Sequence, residues 1–249
     1  MSNELKRIAV VTGASSGIGE AVVRRLAAQG VKVAALARRE DRLKKLADEL
    51  GDNILPLAVD VTDPASVDAA VARIKNELGR VDLVVNNAGV MLPSPIEDGR
   101  EDEWQQMIDL NITGLLRITR AFLPDLVAAA GDGRAADLVN ISSIGAHSVF
   151  PGYNVYSATK AFVTHLTQNI RAEVGPKDVR VTNIEPGLTE TELQGNVTHD
   201  EMRAALPDWF ASVGEYLIAD DIADVVEYVT TRPRRLNLRE IVVLPTRQA

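Results

Sequence analysis

Read from its N-terminus, the chain repeats one pattern. A short apolar run without alternation leads through a turn into a longer stretch whose apolar positions recur at helical spacing. Ile8–Thr12 is the first such run, and its unbroken apolar and β-branched residues predict a strand buried on both faces. Equivalent runs lie at 31–37, 54–59, 81–85, 136–141 and 179–184, with a last short one at 240–244. The stretches between them predict helices over about 18–29, 41–50, 64–78, 101–129, 154–174 and 219–230. Local punctuation supports these boundaries. Gly30 and Gly51 stand where helices end, and Asp63-Pro64 is an N-cap followed by proline at the first helical position. Residues 186–212 break the pattern, being irregular and more polar, and predict a mobile flap.

Strands that alternate with helices and lack a polar face predict a parallel sheet covered on both sides. Right-handed crossovers then give an α/β architecture: a single-domain, Rossmann-type, doubly wound parallel sheet of about seven strands with helices on both faces. Ligands bind such sheets beyond the carboxyl ends of the strands. No repeat or linker interrupts residues 1–249, so one domain is expected, with a substrate flap at about 188–213.

Composition removes whole classes of chemistry. The chain has no cysteine, which excludes disulfides, a thiolate nucleophile and cysteine-ligated metals. His147, His165 and His199 show no ligand spacing, so no metal site is expected. A net charge of −8 without an extended Lys/Arg patch argues against a nucleic-acid partner. The apolar run ending at Gly13 is too short for a signal-peptide core or a membrane span, so the expectation is a cytoplasmic protein with no membrane partner.

The loops after the strands carry the candidate chemistry. In Thr12-Gly-Ala-Ser-Ser-Gly-Ile-Gly19, the glycines Gly13, Gly17 and Gly19 let the backbone turn tightly and approach a pyrophosphate at a helix N-terminus. Ser15, Ser16 and Ile18 belong to the same turn. The spacing is Gly-x-x-x-Gly-x-Gly, not the general Gly-x-Gly-x-x-Gly. At the end of the second strand an acid would bind both ribose hydroxyls of NAD, whereas arginine suits the 2′-phosphate of NADP. Ala37 takes the acid's place and Arg38 and Arg39 follow, which favours NADP(H). Asp41 is an alternative ribose ligand, and Glu40, Asp41 or Asp48 are alternative partners for the arginines.

Tyr156 and Lys160 lie four residues apart in a predicted helix, where an ammonium group one turn away can lower the pKa of a phenol. Taken alone, so short a pair is a common coincidence. It gains weight from its company. The glycine loop, Asn86-Asn87-Ala88-Gly89, Tyr156-x-x-x-Lys160, and Pro186-Gly187 with Thr191 occur in order, and together they resemble the short-chain dehydrogenase/reductase family over nearly the whole length. Residues 184–193 and the ending at 240–246 look most like bacterial NADPH-dependent reductases such as clavulanate dehydrogenase.

The resemblance implies that Tyr156 is the general acid/base and that Lys160 lowers its pKa and holds the nicotinamide ribose. It implies that Ser143 hydrogen-bonds the substrate oxygen, with Ser142 the competing choice, and that Asn111 completes a proton relay. Asn111-Ile-Thr-Gly114 is a poor helix former, so a local irregularity is expected there. Further cofactor contacts are implied for Asn87, Ala88 and Gly89, for Asp60 and Val61 at the adenine end, and for Pro186, Gly187, Thr189 and Thr191 over the nicotinamide and pyrophosphate. Poising a phenol near neutrality takes about 4 kcal/mol. An ammonium about 4 Å away supplies roughly that at an effective dielectric of 20, before desolvation opposes it.

Ser143, Gly145, His147, Phe150, Leu188, Leu193 and Trp209 are the candidate substrate pocket, with Met91, Leu92, Val149 and Phe210 as further walls. These are mostly apolar, and the flap has no arginine before Arg203. Glu190 and Glu192 are placed to meet an amine or hydroxyl group, or to face solvent. The expected activity is NADP(H)-dependent transfer of hydride to or from a small ketone, aldehyde or secondary alcohol. A catalytically silent dinucleotide-sensing protein of the same fold is the alternative, and the joint presence of Ser143, Tyr156 and Lys160 weighs against it. The resemblance also implies a homotetramer or homodimer through helices 101–129 and 154–174; apolar Phe122, Leu123, Leu126 and Phe162 are compatible with such a face, and ordinary core packing explains them equally well.

Overall fold

The computed structural model describes residues 7–248. Seven parallel strands form one sheet: β1 (Ile8–Thr12), β2 (Lys32–Ala37), β3 (Ile54–Ala58), β4 (Leu83–Asn86), β5 (Asp137–Ile141), β6 (Arg180–Pro186) and β9 (Glu240–Val243). Their spatial order is β3-β2-β1-β4-β5-β6-β9. The chain therefore winds outward in one direction from β1 and in the other from β4, and the crevice between these two strands is the switch point at which such sheets bind ligands. Two short strands, β7 (Thr189–Glu190) and β8 (Leu217–Ile218), pair apart from this sheet.

Because successive strand residues point to opposite faces, an unbroken apolar strand feeds two cores. Ala9 and Val11 of β1 join one core with Val33 and Ala35 of β2 and with Leu83 and Val85 of β4. Val10, Ala34, Leu36 and Val84 join the other. The first core is covered by α1 (Gly17–Ala28), α2 (Glu40–Leu50) and α8 (Ala219–Thr230), and the second by α3 (Pro64–Glu77), α5 (Leu115–Gly131) and α6 (Asn154–Val174). Asp63 caps α3 as the sequence predicts, accepting a hydrogen bond from the Ala65 N–H at 3.0 Å.

At the amino ends of the strands the sheet is closed by buried charge. Arg7 bridges Asp82 (2.9 Å) and Asp137 (2.7 Å), and Arg180 donates to Asp137 at 2.8 Å. Burial pushes the Asp82 carboxyl up, and Arg7 and Arg134 pull it back down. This end of the sheet is a stability element, opposite the end that carries the loops.

Two expectations need correction. The helix expected at 101–129 is interrupted: α4 (Glu101–Ile108) passes through a π-helical turn at Asp109–Gly114 before α5 begins. The region expected to be an irregular flap contains a 3-10 turn, Glu192–Asn196, and a 14-residue helix, α7 (Asp200–Val213). Of the apolar residues on the helices at 101–129 and 154–174, Phe122 and Leu126 follow the core-packing alternative, each 1% exposed, whereas Phe162 is exposed. Among the described residues, no helix is long and apolar enough to cross a membrane.

Candidate active site

The loops following β1 to β6 open onto one cleft of about 420 Å³. Its first wall is the glycine loop. Gly13 (φ 68°) and Gly17 (φ 55°) adopt left-handed backbone that other residues resist. The loop is locked to its neighbour across the switch point. Asn87 Nδ2 donates to the Thr12 carbonyl at 3.0 Å, and the Asn87 and Ala88 N–H groups both donate to Thr12 Oγ1 at 3.0 Å. Gly13, Ser15, Ser16, Gly17 and Ile18 line the cleft, as do Asn87, Ala88 and Gly89. Gly19 does not. It packs beneath the loop, where a Cβ would lie 2.3 Å from Gly13 O and 2.5 Å from Asn87 Nδ2. The third glycine therefore serves the close packing of the loop.

Arg38, Arg39, Asp60 and Val61 form the next part of the wall. Arg39 donates through Nε to Ser15 Oγ (3.0 Å), through Nη2 to Ser16 Oγ (2.6 Å) and through Nη1 to Glu192 (2.7 Å). The alternative partners on α2 are not used. Glu192 is half exposed and turns its carboxylate toward this end of the cleft, not toward the substrate side. Asp60 accepts from the Thr62 hydroxyl (2.7 Å) and N–H (2.8 Å), and the hydroxyl hydrogen bond is the main reason its carboxyl lies below the ordinary range.

Tyr156 and Lys160 project from α6 into the cleft and are both buried, 8% and 7% exposed. Lys160 Nζ lies 5.7 Å from the Tyr156 ring centroid and donates to the Ile141 carbonyl at 3.0 Å. Burial pushes the phenol up to about 12, with the Ser143 hydroxyl acting in the opposite direction, and pushes the Lys160 ammonium down to about 8. The expected shift is thus reversed in the protein alone: burial governs both groups, because both leave water together.

The two adjacent serines are separated by what holds them. Ser142 Oγ, fully buried, donates to the Lys160 carbonyl at 2.9 Å and bonds Thr164 Oγ1 at 2.9 Å. Ser143 lines the cleft, and its Oγ accepts only the Gly145 N–H, at 3.1 Å. Asn111 sits in the π-helical turn, and its side chain does not line the cleft. Its Oδ1 accepts from the Val90 N–H (2.8 Å), and its Nδ2 donates to the Val90 carbonyl (2.9 Å) and Thr159 Oγ1 (3.1 Å). It stands behind Gly89, where a Cβ would meet Asn111 Oδ1 at 3.3 Å and Lys160 Nζ at 3.7 Å.

On the far side, Gly145, Phe150, Leu188, Leu193 and Trp209 line the cleft, together with Pro186, Gly187, Thr189 and Thr191. His147 does not line the cleft, nor do Leu92, Val149 and Phe210 among the further walls expected, whereas Met91 does. The His147 Nε2 lies 2.8 Å from the carboxylate of Glu185, a fully buried side chain that also accepts from Thr164 and Asn183, and this buried charge draws the imidazole away from the cleft. His147, Glu185 and Glu240 bring their ligand atoms within 4.8 Å of one another, a grouping their sequence spacing gave no reason to expect.

Tyr153, expected from its position beside Tyr156 to be a pocket or interface residue, lines the cleft, and so does Gln248, which was not expected. Tyr153 joins Phe150 and Trp209 in an aromatic cluster with ring centroids 5.8–6.2 Å apart. Gln248, near the C-terminus, lines the cleft and accepts the Leu188 N–H through Oε1 at 2.7 Å. A glutamine 60 residues away from its partner leaves no sequence signal.

Comparison with known proteins gives one family. Residues 7–202 match the family model described as short chain dehydrogenase. A serine 3-dehydrogenase of Agrobacterium fabrum is 38% identical over 241 residues, covering 96% of this chain and 94% of its own. A sulfoacetaldehyde reductase of Chromohalobacter salexigens is 38% identical over 245 residues, covering 97% and 95%. The solved closed form of a serine dehydrogenase complexed with NADP+ superposes with a TM-score of 0.90 at 36% identity, covering 97% of this chain and 96% of that one. By sequence and by fold, the chain belongs to the short-chain dehydrogenase family of oxidoreductases.

Proposed function

We propose that the protein is an NADP(H)-dependent carbonyl reductase, reversibly an alcohol dehydrogenase, acting on small neutral ketones or aldehydes with Tyr156 as the proton donor. The carrying observation is the Tyr156 phenol, buried in the cleft beside the Ser143 hydroxyl with the Lys160 ammonium 5.7 Å from its ring. Such a phenol keeps its proton at neutral pH and has it available for an oxygen that gains negative charge during reduction.

The residues fit a nicotinamide dinucleotide. Two left-handed glycines open the turn before α1, and Ser16, Arg38 and Arg39 offer a hydroxyl and two guanidiniums where a 2′-phosphate would be bound. The NADP+ complex of the serine dehydrogenase relative supports the same assignment. Asp60, Val61, Asn87, Ala88, Gly89, Pro186, Gly187, Thr189 and Thr191 would complete the site. When bound, this cofactor supplies the hydride.

The chain's own groups do the rest. Ser143 and Tyr156 hold the carbonyl oxygen, and Tyr156 releases its proton to it. Lys160 is fixed by the Ile141 carbonyl and presents positive charge behind the phenol as the proton leaves. Asn111 holds Val90 and Thr159, and so braces the Asn87–Gly89 loop against α6.

The distribution of charge supports a neutral substrate. The charged residues on the cleft wall are Arg38, Arg39, Asp60, Lys160 and Glu192. All but Lys160 lie at the adenosine end, while Phe150, Tyr153, Leu193 and Trp209 make up the other. A carboxylate or sulfonate entering there would lose water without gaining a cation. The test is NADPH consumption with neutral alkyl and aryl ketones and aldehydes beside serine-like and sulfonated substrates. Faster turnover of the neutral set is expected, and preference for the anionic set would overturn the substrate class. A homotetramer, or a homodimer, through α5 and α6 belongs to the same proposal, with Leu116 and Phe162 as exposed apolar support.

A further inference from the structure

Glu192 begins the 3-10 turn with which the flap starts, immediately after its cap Thr191. The flap crosses directly over the glycine loop, since a Cβ at Gly17 would lie 3.2 Å from that of Thr191. From there the Glu192 carboxylate reaches Arg39 Nη1 at 2.7 Å and Arg42 Nη1 at 2.5 Å and 2.7 Å. The guanidinium suited to a 2′-phosphate is therefore held by Ser15 and Ser16 on two nitrogens and by a carboxylate on the third. Arg38, beside it, makes no hydrogen bond among the described residues. All three members of the Glu192 pairings are between 42% and 51% exposed, and ion pairs that open to water contribute little to holding a fold.

We propose that Glu192 is a specificity-determining residue, an internal anion that competes with the cofactor 2′-phosphate for Arg39 and so limits the preference for NADPH over NADH. The inference rests on the NADP(H) reading above. A 2′-phosphate arriving at Arg38 and Arg39 brings charge of the same sign as the carboxylate, which is driven off Arg39 and left on Arg42. NADH brings no such charge and leaves the pairing intact. Protonation does not relieve the competition at neutral pH, because Arg42 and then Arg39 hold the Glu192 carboxyl below the ordinary carboxylate range.

The test is direct fluorescence titration of the full chain with NADPH and with NADH, comparing wild type with Glu192→Gln, once their thermal melts are shown to coincide. NADPH affinity is expected to rise about fivefold while NADH affinity stays unchanged, with the gain shrinking at high salt. It should also vanish when Arg39→Ala is added. Weaker NADPH binding, or an equal change for both nucleotides, overturns the inference, since Glu192 would then only fasten the flap. A wild-type chain that binds neither nucleotide refutes the NADP(H) reading itself, and this inference with it.

Discussion

Replacing Lys160 by methionine should make the protein more stable while it destroys turnover. Folding moves the ammonium from an ordinary 10.5 to about 8, entirely through burial. At 1.36 kcal/mol per pKa unit that desolvation costs about 3 kcal/mol. The direction with pH follows from proton binding. The unfolded chain holds this proton more tightly than the folded one, so the penalty is full below about pH 8 and fades as pH rises toward 10.5. Methionine keeps the unbranched stem out to the ε position and removes the charged nitrogen, but leaves the Ile141 carbonyl without its 3.0 Å donor. An orphaned buried acceptor costs about 1–2 kcal/mol. The net gain near pH 7 is therefore about 1–2 kcal/mol, or about 4 °C in Tm for a domain of this size. Near pH 9.5 the wild-type penalty drops to roughly 1.4 kcal/mol and the margin closes. Urea and thermal unfolding of both proteins at these two pH values, without nucleotide, measure it. A Lys160→Met protein less stable at pH 7, or a gap that does not move with pH, would refute the claim that burial dominates at this pair.

Two further predictions separate the ends of the sheet. Asp137→Ala breaks the buried network at the amino ends of the strands and should lower stability by about 3–5 kcal/mol, read by urea unfolding, with NADPH affinity of the folded protein unchanged. Gly19→Ala forces a Cβ against Gly13 O and Asn87 Nδ2. It should cost about 1–3 kcal/mol and weaken nucleotide binding, checked by thermal melts and fluorescence titration.

The strands were legible because burial on both faces writes itself as unbroken apolar sequence, and β1, β2 and β4 need no other signal. The break at Asn111 was half legible. The poor helix formers around it marked the place, but the π-helical turn is held by bonds to Val90 and Thr159, 21 and 48 residues away. For α7 the signal was present and overlooked. Met202, Leu206, Trp209 and Val213 recur at helical spacing, and Pro207-Asp208 in their midst disguises the stripe. His147 could not be placed, because its partner Glu185 is 38 residues off and only the fold reveals that carboxylate as buried. The Tyr156–Lys160 spacing was visible in the sequence and gained weight only from the motifs around it, whereas the direction of the two pKa shifts was not legible. Spacing gives the distance between two charges but not the water each has lost.

The account stands most directly on Tyr156 as the proton donor. NADPH oxidation with a neutral ketone, measured for wild type and Tyr156→Phe alongside NADPH binding, tests it. Turnover should fall by about 10²–10⁴-fold, the usual worth of a positioned acid, with nucleotide affinity within about twofold of wild type. A Tyr156→Phe protein that turns over at a rate close to wild type would contradict the account.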